Sequence, residues 1–386
     1  MRRPVSLSYE IGPIRPPSEA YSLLVRFTRN CPWNKCEFCH LYKGQKFERR
    51  PLAEIKKDID TIRAIRDRVF SLSWQRGEGG RLSQALIREI FSDPLYDDFF
   101  RTVAFWTYSG ARHVFIQDAN SLVVKKDDLV DALNYLKQTF PTIDRVTSYC
   151  RSQTIAQLFS VEDLARLKAA GLTRLHIGME TGDDFLLRYM RKGVTKEQHI
   201  TAGRRVKESG IELSEYVIAG LGGKRWQRQH ALETADALSA IDPDFIRIRT
   251  LKVVRGMPLF RKLESGDFII ERDEEILEEL RLFIDSLHDT GAVIKSDHIL
   301  NLLEEVDGKL PEDKERILSV IDRYFELGEE QRLVYRMGRR AGLYRGTGDL
   351  ADKATYARVK TAMQQMEAEA PGSVEEHLSL LLEEYI

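Results

Sequence analysis

Three cysteines fall within nine residues of the segment Arg29-Asn30-Cys31-Pro32-Trp33-Asn34-Lys35-Cys36-Glu37-Phe38-Cys39-His40, in the spacing C-x4-C-x2-C, and the 386-residue chain has only one more, Cys150. Thiols this sparse and this clustered read as metal ligands rather than as a disulfide framework. Iron-sulfur clusters are held by cysteine thiolates, normally four. Three close thiolates can hold three irons of a four-iron cluster and leave the fourth iron open to a substrate or cofactor. Zinc is the competing ion, with His40 as a fourth ligand. His40, however, directly follows Cys39, and adjacent residues rarely wrap one tetrahedral ion; no second C-x2-C or H-x3-H pair exists. Buried cysteines acting as small hydrophobes are the remaining alternative, against which stand the polar neighbours Asn30, Asn34, Lys35 and Glu37. Cys150 reads as a strand residue.

Elements that position such a loop are legible in the alternation of short apolar runs with helical patterns, the βαβ signature of a parallel α/β fold. The first strand is expected over 21–28, immediately before the cysteines. Pro51 suits the first turn of a helix, and Ile55, Ile59, Ile62, Ile65 and Val69 give it one apolar face. Residues 72–111 read as an insertion with its own helix, broken by the turn Gly77-Glu78-Gly79-Gly80. Later strands are expected over 113–117, 144–149, 174–179, 213–219 and 244–251. Capping signals at Ser160-Val161-Glu162-Asp163 and Thr195-Lys196-Glu197-Gln198 open two of the helices between them, which end near Gly171 and Gly210. Six strands of this kind predict a partial (β/α)6 TIM-type barrel with its ligand site at the carboxyl ends of the strands. The organisation expected is an extension over 1–20, the barrel over 21–262 and a helical C-terminal domain over 263–386.

Polar and glycine residues gather where that rim should lie. Gln117-Asp118-Ala119-Asn120 follows the second strand, Arg151 the third, Glu180-Thr181-Gly182 the fourth, and Gly220-Leu221-Gly222-Gly223 the fifth. Loops after strands are commonly rich in Gly and Asp for structural reasons alone; their coincidence with a three-cysteine loop is the signal.

Length and charge bound the class. The chain is long enough for one large domain and an appendage, and a formal charge of -1 implies no global attraction to nucleic acid or membrane. No apolar run approaches the ~20 residues of a spanning helix, and Met1-Arg2-Arg3-Pro4 lacks the apolar core of a secretory signal. The expectation is a cytoplasmic enzyme.

The cysteine loop after strand one, with Phe38 just before the last cysteine, resembles the cluster loop of the radical S-adenosylmethionine superfamily, whose commonest spacing is one residue shorter in the first gap. Ile177-Gly178-Met179-Glu180-Thr181-Gly182, followed by Tyr189-Met190-Arg191-Lys192-Gly193, resembles the strand-four segment of the branch containing oxygen-independent coproporphyrinogen oxidases, tRNA methylthiotransferases and the Elongator catalytic subunit. The resemblance covers about residues 20–260.

This resemblance implies a 4Fe-4S cluster on Cys31, Cys36 and Cys39, with the methionyl group of S-adenosylmethionine on the open iron. It implies cofactor contacts from Phe38, from Asp118 and Asn120 in place of the family's usual Gly-Gly-Glu turn, and from Glu180 on the ribose hydroxyls. Lys192 or Arg151 would meet the methionyl carboxylate, and Gly220 would let the adenine approach the backbone. The reaction implied is reductive cleavage to methionine and a 5'-deoxyadenosyl radical that abstracts hydrogen from an unidentified substrate, fed by a low-potential donor such as ferredoxin or flavodoxin. Structural roles compete: Glu180 as the cap of the helix near Asp183, Lys192 as a solvated helix-end cation.

With Cys150 the only spare thiol, a second cluster of the kind sulfur-inserting relatives use is not expected, and the ~20 residues before strand one are too few for a cobalamin-binding unit. Residues 264–305 carry thirteen acids and three basic residues, while 26–68 carry twelve basic residues and six acids. Gln331-Arg332-Leu333-Val334-Tyr335-Arg336-Met337-Gly338-Arg339-Arg340 mixes cations with aromatics. Pairing with the acidic region is the favoured reading of that segment, over a grip on RNA. His298, in Ser296-Asp297-His298-Ile299-Leu300-Asn301, reads as packed or solvated rather than catalytic. Two other functions compete with the radical reading: an RNA-binding or tRNA-modifying protein of the same fold, and a zinc-stabilised protein without catalytic activity.

Overall fold

The computed structural model describes residues 7–383; the Met1-Arg2-Arg3-Pro4 start and the last three residues of the C-terminal region lie outside them. The chain forms two compact units, one of residues 1–34, 42–177 and 205–213, the other of 35–41, 178–204 and 214–386.

In the first unit β1 (Leu23–Arg26), β4 (His113–Gln117), β5 (Arg145–Cys150) and the start of β6 (Arg174–Glu180) are parallel neighbours, with Leu23 opposite Val114, Val114 opposite Val146 and Thr147 opposite Arg174. The first strand is shorter than expected. After Phe27 the chain leaves the sheet and Thr28–Arg29 (β2) pairs antiparallel with Glu48–Arg49 (β3), so a small hairpin stem brackets the cysteine loop in sequence. Cys150 closes β5 as a buried strand residue. Leu52–Gln75 is a helix, entered through Pro51, whose Ile55, Ile59, Ile62, Ile65 and Val69 are buried. The insertion holds two helices rather than one, Gln84–Ser92 and Asp98–Tyr108. Ser83 and Asp97 each accept a hydrogen bond from the first turn that follows, so each starts its own helix.

In the second unit β7 (Glu212–Ala219) pairs parallel with β8 (Phe245–Thr250) and β8 with β9 (Val293–Lys295), while β10 (Gly308–Lys309) returns antiparallel. Val217, Ala219 and Ile248 face Ala231 and Thr234 of the helix Gly223–Ile241 and Leu280 and Phe283 of the helix Asp273–Ser286. By the period-2 rule, Ser214, Tyr216, Arg247 and Arg249 lie on the other face of the strands. Beyond residue 263 the chain is mostly helical, with β9 and β10 as its only strands among the described residues.

The fold is α/β: the strands β1, β4, β5, β6, β7 and β8 alternate with helices as in a partial (β/α)6 barrel, at the positions the apolar runs predict, and β9 is a further parallel strand beside β8. No helix of the described residues is long and apolar enough to cross a membrane.

Candidate functional site

The entry to the cysteine loop is built in the first unit from residues that tolerate left-handed backbone. Asn30 (φ 67°) and Asn34 (φ 48°) are of the type that visits this region at least cost. The Asn30 amide donates to Asp118 Oδ2 at 3.0 Å, and its side chain donates to the Lys46 carbonyl at 2.6 Å. The Asn34 amide donates to Cys31 Sγ at 3.4 Å, a contact of the kind that tunes cluster thiolates. Asp118 is fully buried and also accepts from Arg26 Nε at 2.8 Å; its Oδ1 occupies the space a side chain on Gly12 would take, 2.0 Å from an ideal Cβ. Behind this sits a charge network in which Glu10 meets Arg26 at 3.0 Å, Arg29 at 2.6 Å and Arg50 at 3.2 Å. With Asp118 on Arg26, Glu54 on Arg29 and Asp58 on Arg50 as further partners, three cations of the basic stretch 26–68 are paired in place.

Asn120, also buried, donates to Thr154 Oγ1 at 2.8 Å and accepts from the Arg151 amide at 3.4 Å. The Arg151 guanidinium lies 5.2 Å from the ring centroid of Trp33, within the cysteine loop. Asp118, Asn120 and Arg151 are therefore each tied to the loop or to each other, as a scaffold would be.

The other half of the loop belongs to the second unit. Glu37, between Cys36 and Phe38, donates its amide to the Met190 carbonyl and accepts from the Leu259 amide, both at 2.9 Å, and its carboxylate lies 3.7 Å from Arg191. Phe38 packs against Met190, Leu221, Leu251, Val253, Leu259 and Phe268. Over Phe38, 5.7 Å from its centroid, stands Lys192 Nζ, which donates to Glu180 Oε1 at 2.8 Å. Gly178 makes room for this pair: an ideal Cβ there would lie 2.1 Å from Glu180 Oε1 and 3.1 Å from Lys192 Nζ. Three residues singled out in the sequence, Phe38, Glu180 and Lys192, thus come together.

Two structural expectations fail here. Glu180 does not cap the helix Asp184–Tyr189; Asp183 does, accepting from the Leu186 amide at 2.7 Å. Lys192 is not a solvated cation but 8% exposed, because the turn folds its stem over Phe38. Glu180 itself holds φ 67°, an uncommon conformation for a residue that is not glycine.

Sequence reasoning missed what supports Glu180 and Gly220. His230 Nε2 lies 3.3 Å from the Glu180 carbonyl, and His230 Nδ1 lies 3.1 Å from Glu279 Oε1. The same Oε1 accepts from the Gly220 amide at 2.8 Å, where φ is 82°. One buried His–Glu pair thereby ties the ends of two strands. Burial acts to lower the pKa of His230, but the Glu279 carboxylate outweighs it and the net shift is upward. Near Glu279, Glu271 is pushed up to about 9 by burial first and by the Glu279 charge second. Glu215 in β7, wholly buried, is raised well above its usual range by burial and then by Glu180, against the pull of Lys192. An acid inside the apolar run 213–219 was the one available signal; His230 and Glu279 sit on helices far apart in sequence and had none.

The cations of 332–340 pair as the sequence favours. Arg336 and Arg340 meet Asp273 at 3.0 and 2.8 Å, Arg339 meets Glu304 at 2.9 Å, and Arg332 meets Glu274 at 3.5 Å. The four cysteines are not joined by disulfides. Among the described residues, no three His, Cys, Asp or Glu side chains are gathered closely enough to hold a single metal ion.

Comparison with known proteins adds a family model, that of the radical SAM superfamily, matching residues 25–236. The tRNA uridine(34) acetyltransferase of Methanocaldococcus jannaschii is 22% identical over 265 residues, which are 64% of this chain and 45% of that protein. A biotin synthase of Clostridium botulinum is 28% identical over 144 residues, 37% of this chain and 42% of that protein. The matches thus span less than half the length of these curated relatives. Among solved structures, coproporphyrinogen III oxidase (HemN) from Escherichia coli, described as a radical SAM enzyme, superposes with a TM-score of 0.43 and 16% identity, covering 68% of this chain and 52% of that one.

Proposed function

Since the chain belongs to the radical S-adenosylmethionine superfamily and is thereby an enzyme, we propose that it carries a 4Fe-4S cluster on Cys31, Cys36 and Cys39 and cleaves S-adenosylmethionine reductively to abstract hydrogen from its substrate. The observation that carries this reading is the seam between the Cys36–Cys39 segment and the Lys192–Glu180 pair. The Glu37 amide donates to the Met190 carbonyl, the Glu37 carbonyl accepts from the Leu259 amide, and Lys192 stands over Phe38, so the segment that carries Cys36 and Cys39 is tied to the segment that carries the Lys192–Glu180 pair. The donor set fits the groups it would hold. Three thiols match three irons, a carboxylate suits vicinal ribose hydroxyls, and an ammonium suits a carboxylate.

In this reading Lys192 holds Oε1 of Glu180 and leaves Oε2 to accept from the ribose, while meeting the methionyl carboxylate itself. Asp118 holds the loop entry that presents Cys31, Asn120 holds the Arg151 backbone, Arg151 braces Trp33, and Gly220 sets the backbone on the adenine side. A reduced cluster would supply the electron that splits the sulfonium into methionine and a 5'-deoxyadenosyl radical. That electron would come from a ferredoxin- or flavodoxin-type donor.

The test is anaerobic reconstitution with iron and sulfide, then reduction with S-adenosylmethionine and chromatography for 5'-deoxyadenosine. Wild type and Cys150→Ala are expected to bind four irons and form product; Cys31→Ala, Cys36→Ala and Cys39→Ala are expected to do neither. A colourless protein with one zinc per chain would sink the proposal. A tRNA substrate is the second reading, favoured by the similarity to tRNA uridine(34) acetyltransferases; deuterium transfer from labelled tRNA into 5'-deoxyadenosine would establish it.

A further inference from the structure

The stretch Phe245-Ile246-Arg247-Ile248-Arg249-Thr250 puts two arginines on one face of β8. On the other face Ile246 and Ile248 are fully buried. Such a pattern places guanidiniums where a sheet ordinarily keeps apolar side chains, and it calls for a reason.

Arg247 donates from Nε to Ser214 Oγ at 3.1 Å and from Nη1 to Asp297 Oδ2 at 2.6 Å. Arg249 donates from Nη1 to Asp297 Oδ1 at 3.0 Å and to the Ile248 carbonyl at 2.8 Å, and its guanidinium lies 4.7 Å from the Tyr216 ring centroid. Two arginines thus share one carboxylate. Arg247 and Arg249 have side chains 5% and 14% exposed, whereas Asp297 is 32% exposed, so the cluster is reached from the Asp297 side.

The charges around it do not cancel. Asp297 stays ionised, because the arginines outweigh the effect of burial. His298 is driven down to about 4 by burial and then by Arg249, so it is neutral at physiological pH. Lys295, opposite Arg247 in the ladder, is paired with Asp307 at 2.9 Å. Among the described residues, the ion pairs of Arg247 and Arg249 all go to the one Asp297 carboxylate, which leaves one positive charge over. Arg249 Nη2 is buried and has no hydrogen-bond partner among the described residues. Confining an uncompensated charge with an unmet donor is costly unless an anion completes the set, and a guanidinium fork is shaped for a carboxylate or phosphate.

We propose that Arg247 and Arg249 form the seat of an anionic group, carboxylate or phosphate, on the substrate of this enzyme. The proposal rests on the radical S-adenosylmethionine reading for the word substrate, and the anion site itself stands on its own geometry. Arg249 supplies the unmet Nη2 donor, Arg247 holds Asp297 in place, and Tyr216 braces the Arg249 plane.

The probes are inorganic phosphate and succinate, titrated separately against the full chain while following thermal unfolding, with S-adenosylmethionine affinity measured in parallel. One of the two anions is expected to raise Tm of the wild type saturably, and which one does so separates a phosphate group from a carboxylate. Arg249→Gln is expected to weaken that anion about tenfold or more, and Asp297→Asn, which adds net positive charge, to tighten it. Should Arg249→Gln not fold, Arg249→Lys keeps the charge without the fork and is expected to weaken the anion as well. The proposal is overturned if neither anion shifts wild type, or if both arginine variants bind as wild type does. It is equally overturned if S-adenosylmethionine affinity falls in step with the anion, since the seat would then serve the cofactor's carboxylate. Loss of 5'-deoxyadenosine formation with the anion response intact would instead strike the radical reading alone.

Discussion

Lys192 Nζ sits 2.8 Å from Glu180 Oε1, with Gly178 leaving the space the pair occupies. Side chains 10% and 14% exposed make this a largely desolvated ion pair, whose disruption from one side leaves a charge unpaired. Glu180→Ala and Lys192→Met are each expected to weaken S-adenosylmethionine binding about tenfold or more while leaving the iron content unchanged. Gly178→Ala should imitate them, because its methyl would push the carboxylate aside. Equilibrium dialysis of reconstituted protein decides the matter, and wild-type affinity in Gly178→Ala would remove the pair from the cofactor site.

Asp118 joins Arg26 to the amide of Asn30, next to Cys31. Asp118→Ala is expected to lower iron incorporation on reconstitution, although no thiol is altered, since the loop entry loses its acceptor. Gly12→Ala, crowding Asp118 Oδ1, should act in the same direction. A full complement of iron in both variants would confine Asp118 to the stability of the fold.

Glu271 makes stability depend on pH. Its folded pKa of about 9 means that the folded chain holds a proton the unfolded chain has lost, between the ordinary carboxylate value of 4.5 and about 9. Unfolding then releases that proton, and stability falls as pH rises through the window. His230, also raised, contributes in the same direction, its stabilisation being complete below its unfolded value and lost above its folded one. Glu271→Gln is expected to match wild type near about pH 5 and to exceed it in Tm at about pH 8.5. Parallel Tm profiles for the two proteins across that range would disprove the assignment.

Arg340, 2% exposed, bonds Asp273 and the Leu300 carbonyl, both at 2.8 Å. Arg340→Ala is expected to cost about 3–5 kcal/mol, read as a lower urea midpoint. A cation kept for gripping RNA at the surface would instead cost within about 0.5 kcal/mol and reduce RNA binding.

What the sequence by itself determined is local. The cysteine spacing, six strand positions, the caps at Ser160 and Thr195 and the apolar face of Leu52–Gln75 each depend on residues a few positions apart, whose periodicity or hydrogen bonding is written in order along the chain. Even the pairing of 332–340 with acids followed from blocks of opposite charge. Tertiary structure alone decided the rest. It folded Lys192 onto Phe38, turned Asp118 toward Arg26, joined His230 and Glu279 beneath Glu180 and Gly220, and left Arg247 and Arg249 sharing Asp297. Each of these depends on desolvation and on contacts between residues distant in sequence, and burial is what turns an ordinary surface charge into one that must be paired, neutralised or answered by a ligand.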